Sequence, residues 1–254
     1  MKTLRFTAAL FATSLKASLA LRGAFLLQAL LMALNNLLFF STWWILFSHF
    51  DSIRGFRLHD MLALFGITAA GFGLAVVLCG GMLELARAIA DGELDALLAQ
   101  PKNVLLRAVA SRSIASGWGD IASGLGLIAL SGYAHPLAAL LATLLAAIGF
   151  VTSAAVLQSS AFWLGRTDSL ARTALEFVMT FALYPPTLFG GGLRVLLFTL
   201  LPAGLIAYLP LELARDPGLD TLLPALLGTA CYAAFAAWVF QRGLRRYESG
   251  SRFA

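Results

Sequence analysis

Asp120 is the acid that stands out within an apolar run. It lies six residues after Ile114, about 9 Å along a helix at a rise of 1.5 Å per residue. An ionisable residue at membrane depth is a functional candidate by default. Ser116, Asp120 and Gly124 share one helix face, and Ala115, Gly119 and Ser123 the adjacent one, so small residues invite close helix packing around it. The expectation is a partnership between Asp120 and an inner-side arginine, Arg87 or Arg112, with a substrate or proton site as the alternative reading.

A second cluster occupies the stretch from Ala90 to Pro101. Leu94, Leu97 and Leu98 recur at i, i+3, i+4, so a short helix presents one apolar patch flanked by Glu93 and Asp95, entered through Gly92 and ended by Pro101. Such a patch outside a membrane either folds back on the chain's own spans or docks into a groove of a separate subunit.

Other chemistries lack their residues. A phosphate-binding loop requires Gly-x-x-x-x-Gly-Lys followed by Ser or Thr, and no such run occurs; Gly190, Gly191 and Gly192 read as a turn beside the membrane. His49, His59 and His135 fall one to a loop, short of the three or four convergent ligands of a zinc site. Cys79 and Cys231 lie in separate apolar segments and read as buried small hydrophobes. No Gly-x-Ser-x-Gly nucleophile turn is present, so an intramembrane enzyme lacks its catalytic groups. The net charge of +5 comes from basic residues set singly between apolar runs, which argues against a nucleic-acid partner.

The elements that must carry these residues follow from composition. With 60% of 254 residues hydrophobic and 12% charged, the chain reads as an all-α, polytopic integral membrane protein rather than a water-soluble enzyme. A crossing helix needs about 20 mostly apolar residues. Six transmembrane helices are expected at about 23–47, 61–83, 114–131, 136–157, 195–211 and 221–240 of a single transmembrane domain, 1–254. A cytoplasmic loop covers 84–112 and a cytoplasmic tail 241–254. The segment 170–183 is shorter, carries Arg172 and Glu176, and ends at Tyr184, Pro185 and Pro186; it reads as interfacial or re-entrant.

Counting Lys and Arg by loop leaves Arg54, Arg57 and Arg215 outside and the other fifteen of eighteen inside, which puts both termini in the cytoplasm. Residues 1–22 read as an amphipathic elbow helix at the membrane surface rather than a secretory signal. Lys16 interrupts the apolar run and shares a face with Arg5, while Leu4, Ala8, Phe11, Leu15 and Leu19 line another. Glu84 and Arg87 form an expected interfacial pair, and Trp43 and Trp44 an aromatic belt. Small residues along the second span, among them Gly66, Ala70 and Gly73, permit tight contact.

The run GELDALLAQP resembles a loop of the permease subunits of ABC-2 type transporters, in which a Gly-x-Leu-Asp-x-Leu-Leu-x-x-Pro pattern follows the second span. Gly92, Leu94, Asp95, Leu97, Leu98 and Pro101 occupy it here. Tyr184 and Pro185 with Phe189, Gly190 and Arg194, then Leu201 and Pro202 with Tyr208 and Pro210, resemble the family's fifth-span region. The ending from Gly243 to Gly250 resembles its cytoplasmic tail.

The resemblance implies a bacterial inner-membrane exporter subunit, paired with a second permease chain as homodimer or heterodimer, surrounded by membrane lipid and driven by a separate ATP-binding cassette ATPase. ATP and magnesium then belong to that partner, and this chain binds no cofactor and is not itself an enzyme. Gly92, Glu93, Leu94, Asp95, Leu97, Leu98 and Pro101 become a coupling helix, with Asp120 an intramembrane polar site. The alternative is an ATP-independent carrier, channel or scaffold. A secondary carrier shows two interrupted helices in matching halves, whereas this sequence has one interruption, near Pro185, and no evident repeat.

Overall fold

In lipid every backbone N–H and C=O must find its partner within its own segment, so apolar runs bounded by polar or proline-containing turns become helices. The computed structural model describes residues 11–16, 18–99, 102–133, 135–199 and 201–247, which are helical throughout apart from turns and one isolated bridge, Ile53 to Phe56. The elements are α1 (Arg22–His49), α2 (Leu58–Cys79), a 3-10 turn (Gly80–Glu84), α3 (Leu85–Ala90), α4 (Leu94–Leu98) and α5 (Val104–Val109). They continue with α6 (Gly117–Ser131), α7 (Pro136–Gln158), α8 (Ala161–Leu164), α9 (Asp168–Ala182), α10 (Gly191–Thr199), a π-helical turn (Gly204–Tyr208), α11 (Leu209–Arg215) and α12 (Leu219–Leu244).

The helix α2 is the axis of the bundle, buried along most of its length, and α6 and α7 pack along it. Its small residues set the spacing. A Cβ on Gly66 would lie 2.7 Å from the Gly124 carbonyl oxygen, and one on Gly73 2.7 Å from the Asp120 Cβ, so the two backbones meet almost in contact. The opposite small face of α6 meets α1, where Gly119 abuts Ala29, Met32 and Ala33. Both small-residue faces read from the sequence are therefore used, one against each neighbour. In contrast, α1 buries only Asn36, Phe40 and Trp43, and α12 is exposed along most of its apolar length, as lipid-facing helices are.

By length and composition, four helical stretches among the described residues can cross a membrane: Arg22–His49, Leu58–Ala90, Pro136–Leu164 and Leu219–Leu244. Gly191–Thr199 with Gly204–Arg215 forms a pair bent by 77°. The expected span at 195–211 is thus no continuous helix. Pro202 supplies no N–H and interrupts the helical ladder between the two arms. Contacts place both ends of this pair at the same end of the bundle. Its entry follows Tyr184, which packs edge-on against Trp43, about 32 Å along α1 from Arg22. Its exit, Arg215, bonds Asp60 at the start of α2, 2.7 Å away, at that same far end. Between them Ile206 reaches Gly149, midway along α7. The described parts of 185–215 therefore form a bent hairpin whose two ends lie at the same end of the bundle.

The segment expected to be interfacial or re-entrant, 170–183, falls on the 15-residue helix α9, shorter than the stretches long enough to cross a membrane. The α9 helix starts beside the 84–112 loop, where Arg172 meets Glu84, and delivers Tyr184 to the far end. Other expectations change as well. Trp43 is buried against Tyr184 while Trp44 is exposed, so only Trp44 suits an aromatic belt. Cys79 is half-buried and Cys231 exposed, because α12 turns that face outward. Of the elbow, residues 11–16 are helical, with Phe11 and Leu15 half-buried and Lys16 exposed; residues 1–10 lie outside the described residues. Ser14 is buried there and donates to the Ala110 carbonyl at 3.1 Å, tying this helix to the end of α5.

Candidate functional site

The loop 84–112 is held as a rigid bracket rather than a loose connection. The α3 helix ends in a Schellman motif: Gly92 sits at φ +79°, the Glu93 N–H donates to the Ala88 carbonyl at 2.9 Å, and the Gly92 N–H to that of Ile89 at 3.4 Å. A side chain at Gly92 would strain this left-handed turn, so glycine is needed to stop α3 and redirect the chain into α4. Asn103 then caps α5 by accepting from the Leu106 N–H at 2.9 Å, and Arg107 donates to the Leu97 carbonyl at 2.9 Å.

The α4 surface is divided. Leu94 is fully buried in the chain's own core, Leu97 is half-buried, and Leu98, Glu93, Asp95 and Ala96 are exposed. The three leucines expected to form one outward patch therefore split, with Leu94 as root and Leu98 as tip. At i and i+4 they are 40° apart, and the core takes one edge of that stripe. Pro101 lies outside the described residues.

Two neighbours brace the bracket. Gln158, fully buried at the end of α7, accepts from the Ala86 N–H at 3.0 Å and donates to the Leu83 carbonyl at 3.2 Å, satisfying backbone groups at the start of α3 that no helix bond reaches. From α9, Arg172 pairs with Glu84 at 2.7 Å, and Arg166 just before it pairs with Asp91 at 3.3 Å. Glu84 also meets Arg87 at 3.0 Å, the expected i, i+3 pair, and Arg87 lies 3.9 Å from Glu93. Tyr247, just beyond α12, closes over the same corner. It packs on Phe162, and its hydroxyl is pushed up to about 12, first by burial and then by the neighbouring Asp95 carboxylate.

The intramembrane acid is placed differently from the expectation. Asp120 is 2% exposed and meets neither Arg87 nor Arg112. Its Oδ1 accepts from the Asn36 Nδ2 at 2.7 Å. Asn36 lies halfway along α1 and also donates to the Ser123 Oγ at 2.9 Å, while Ser123 donates to the Gly119 carbonyl at 2.8 Å. The Asp120 Oδ2 is buried without a hydrogen bond. Beside this group is a cavity of about 130 Å³ bounded by α1, α2, α6 and α9.

The far end carries a further polar cluster that the sequence reading did not single out. Asp60 is 5% exposed; its Oδ1 accepts from the Tyr133 hydroxyl at 2.8 Å and from Arg215 Nη2 at 2.7 Å, and its Oδ2 from the Arg57 N–H at 2.9 Å. Arg215 also meets Glu212 at 3.3 Å and stands 5.1 Å from the centre of the Phe56 ring. This clasp pins the returning hairpin to α2 and to the α6–α7 turn. Gln158 and Asn36 were missed as well. Each is a polar residue within or ending an apolar run, a signal visible in the sequence.

No curated protein and no solved structure matches the chain. Residues 30–251, most of the sequence and all of the features above except the first helical turns, match the family described as ABC-2 family transporter protein, and the chain belongs to that family.

Proposed function

We propose that this chain is one of two permease subunits of a bacterial inner-membrane exporter, moved by a separate ATP-binding cassette ATPase that docks on α4. Members of the family are membrane components without catalytic activity of their own, and the chain is a multi-pass membrane permease. ATP and its magnesium are then held by the partner. The observation that carries the docking assignment is the division of α4: Leu94 is rooted in the core, while Leu98 and the acids Glu93 and Asp95 stand on its outer face. A tip of one leucine between two carboxylates suits a groove with an apolar floor and a basic rim.

The six-crossing plan with both termini inside is kept with one exchange. The crossings are α1, α2, α6, α7, α9 and α12, and the hairpin 185–215 re-enters from outside. This moves Arg194 to the outer side and leaves the lysines and arginines fourteen to four in favour of the inside. It also explains the polarity of α9. Thr173, Glu176 and Thr180 form an exposed stripe on α9 together with Phe177, and a glutamate is costly against lipid. That stripe faces a polar route between this subunit and the second permease chain, homologous or identical.

Movement follows from the braces. A cassette closing on ATP displaces α4; Leu94 carries the displacement into the core, Gln158 into α7, and the Glu84–Arg172 pair into α9, which opens or closes the route by alternating access. The test is purification of the tagged permease in mild detergent, with identification of the bound protein and an ATPase assay, for wild type and Leu98→Glu. Recovery of a cassette ATPase from wild type and its loss in Leu98→Glu supports the assignment. Recovery of the permease alone favours an ATP-independent carrier or scaffold.

A further inference from the structure

We propose that the cavity beside Asp120 binds the protonated amine end of an amphiphilic compound. As a statement about exported cargo this rests on the permease reading above; as a statement about binding it concerns this chain alone.

The argument starts from an unbalanced group. The Asp120 carboxylate receives one hydrogen bond, from Asn36, and Oδ2 receives none, although the residue is almost wholly buried. Buried acceptors in native proteins are paired almost without exception, and a lone buried carboxylate carries a large desolvation cost. No ion pair reaches Asp120 among the described residues, and two inner-side arginines, Arg87 and Arg172, both hold Glu84. The neighbouring hydroxyl of Ser123 donates to the Gly119 carbonyl. The missing partner is a donor, and its charge is positive.

A proton alone would neutralise Asp120 and would need neither space nor particular walls. The structure supplies both. The cavity of about 130 Å³ is bounded by Asp120, Asn35 and Asn36 on its polar side and by Phe39, Phe65 and Phe72 on its aromatic side. Aromatic faces attract cations electrostatically, more strongly once water is excluded. An inorganic cation, which prefers a shell of oxygens, would find one carboxylate, two amides and the Thr68 hydroxyl, which donates to the Leu64 carbonyl, against an otherwise apolar wall. An alkylammonium or arylalkylammonium is satisfied by the same set, with its N–H groups on Asp120 and its carbon against the rings. An apolar cavity of about 150 Å³ takes a molecule the size of benzene, so the site accepts the amine-bearing end of a ligand, with the remaining apolar part outside it.

The experiment measures binding of tritiated phenethylamine to the purified full-length permease in detergent, without any ATPase, in competition with unlabelled phenethylamine or its neutral counterpart 2-phenylethanol. The expected result is saturable binding displaced by the amine at a concentration at least ten-fold lower than by the alcohol. Asp120→Asn, which keeps the side-chain shape, weakens binding at least ten-fold, and Gly126→Ala, at a position with nothing within 4 Å, binds as wild type does. Absence of saturable binding to wild type, equal competition by the alcohol, or unchanged binding in a folded Asp120→Asn protein overturns the proposal. The competition arm uses only wild type, so a variant that fails to fold does not spare the proposal. Normal amine binding with no ATPase recovered removes the pump and leaves the site; ATPase recovery without amine binding does the reverse.

Discussion

Replacing Gln158 with leucine separates the two ways in which the coupling loop is braced. The side chain is fully buried and makes two bonds, one from the Ala86 N–H and one to the Leu83 carbonyl. Leucine fills similar space but pairs with neither group. A buried donor left unpaired costs about 1–3 kcal/mol. Ala86 is buried while Leu83 is half-buried, so the second loss is smaller and the total is about 2–4 kcal/mol. The Glu84–Arg172 pair is shorter, at 2.7 Å, but its side chains are 28% and 44% exposed. Pairs of that exposure contribute about 0.2–1 kcal/mol. Equilibrium unfolding in mixed micelles, followed by near-ultraviolet circular dichroism, should therefore show Gln158→Leu several-fold more destabilising than Arg172→Ala. Equal effects of Gln158→Leu and Arg172→Ala, or an unfolding midpoint for Gln158→Leu within error of wild type, would refute the claim that burial, not charge, holds this bracket.

Leu94→Glu places a charge in the fully buried root of α4 and should cost about 4 kcal/mol or more, abolishing recovery of folded protein. Leu98→Glu, at an exposed tip, should leave the unfolding midpoint unchanged while removing ATPase capture. Gly66→Leu drives a side chain into the Gly124 backbone and should destabilise by at least about 1–3 kcal/mol; Gly126→Ala, with nothing within 4 Å, should be nearly neutral by the same unfolding assay. Tyr133, pushed up to about 12 mainly by burial, ionises later in the native state than in the unfolded chain, where it titrates near 10. Its contribution is therefore complete below pH 10 and is lost as pH rises towards 12. Tyr133→Phe should lower stability at neutral pH, where Asp60 loses a donor, and should flatten the decline between pH 10 and 12 relative to wild type.

Much of the helical plan is legible because membrane burial leaves a strong, local mark. The runs around α1, α2, α7 and α12 are continuous, long and nearly uncharged, and the small residues of α2 and α6 announce their contact. The exchange between α9 and the 185–215 hairpin was not legible for a physical reason. Hydropathy reports the average polarity of a segment, and α9 has a polar stripe along one face, whereas 195–211 is apolar on all sides yet broken at Pro202. Average hydropathy therefore ranks 195–211 above α9 and does not register the bend at Pro202. The site residues divide similarly. The leucine spacing of α4 was readable, but which leucine turned inward depended on how the bracket meets the core. Asp120 was visible as an anomaly, but its partner Asn36 lies 84 residues away, and only the approach of Gly119 to Ala29 and Ala33 brings the two together. Asp60 and Arg215 are further apart still and meet because the hairpin returns to the end it left.

The placement of α9 explains how a push at one end can matter at the other. At its start Arg172 is coupled to the bracket through Glu84. Farther along, Met179 and the following Leu183 form part of the cavity wall beside Asp120. Between those positions the Phe181 carbonyl accepts from the Tyr208 hydroxyl at 2.9 Å, which links the helix to the hairpin. The hairpin's exit is fixed in turn by the Asp60 clasp. A 15-residue helix is about 22 Å long and moves as a stiff rod. On the proposed mechanism, tilting α9 at Glu84 changes the cavity and strains the hairpin together, while the close contacts of α6 with α2 and with α1 hold Asp120 and Asn36 in place. One wall moves against a fixed polar pair, which is the geometry needed to grip a cationic end in one state and release it in the other.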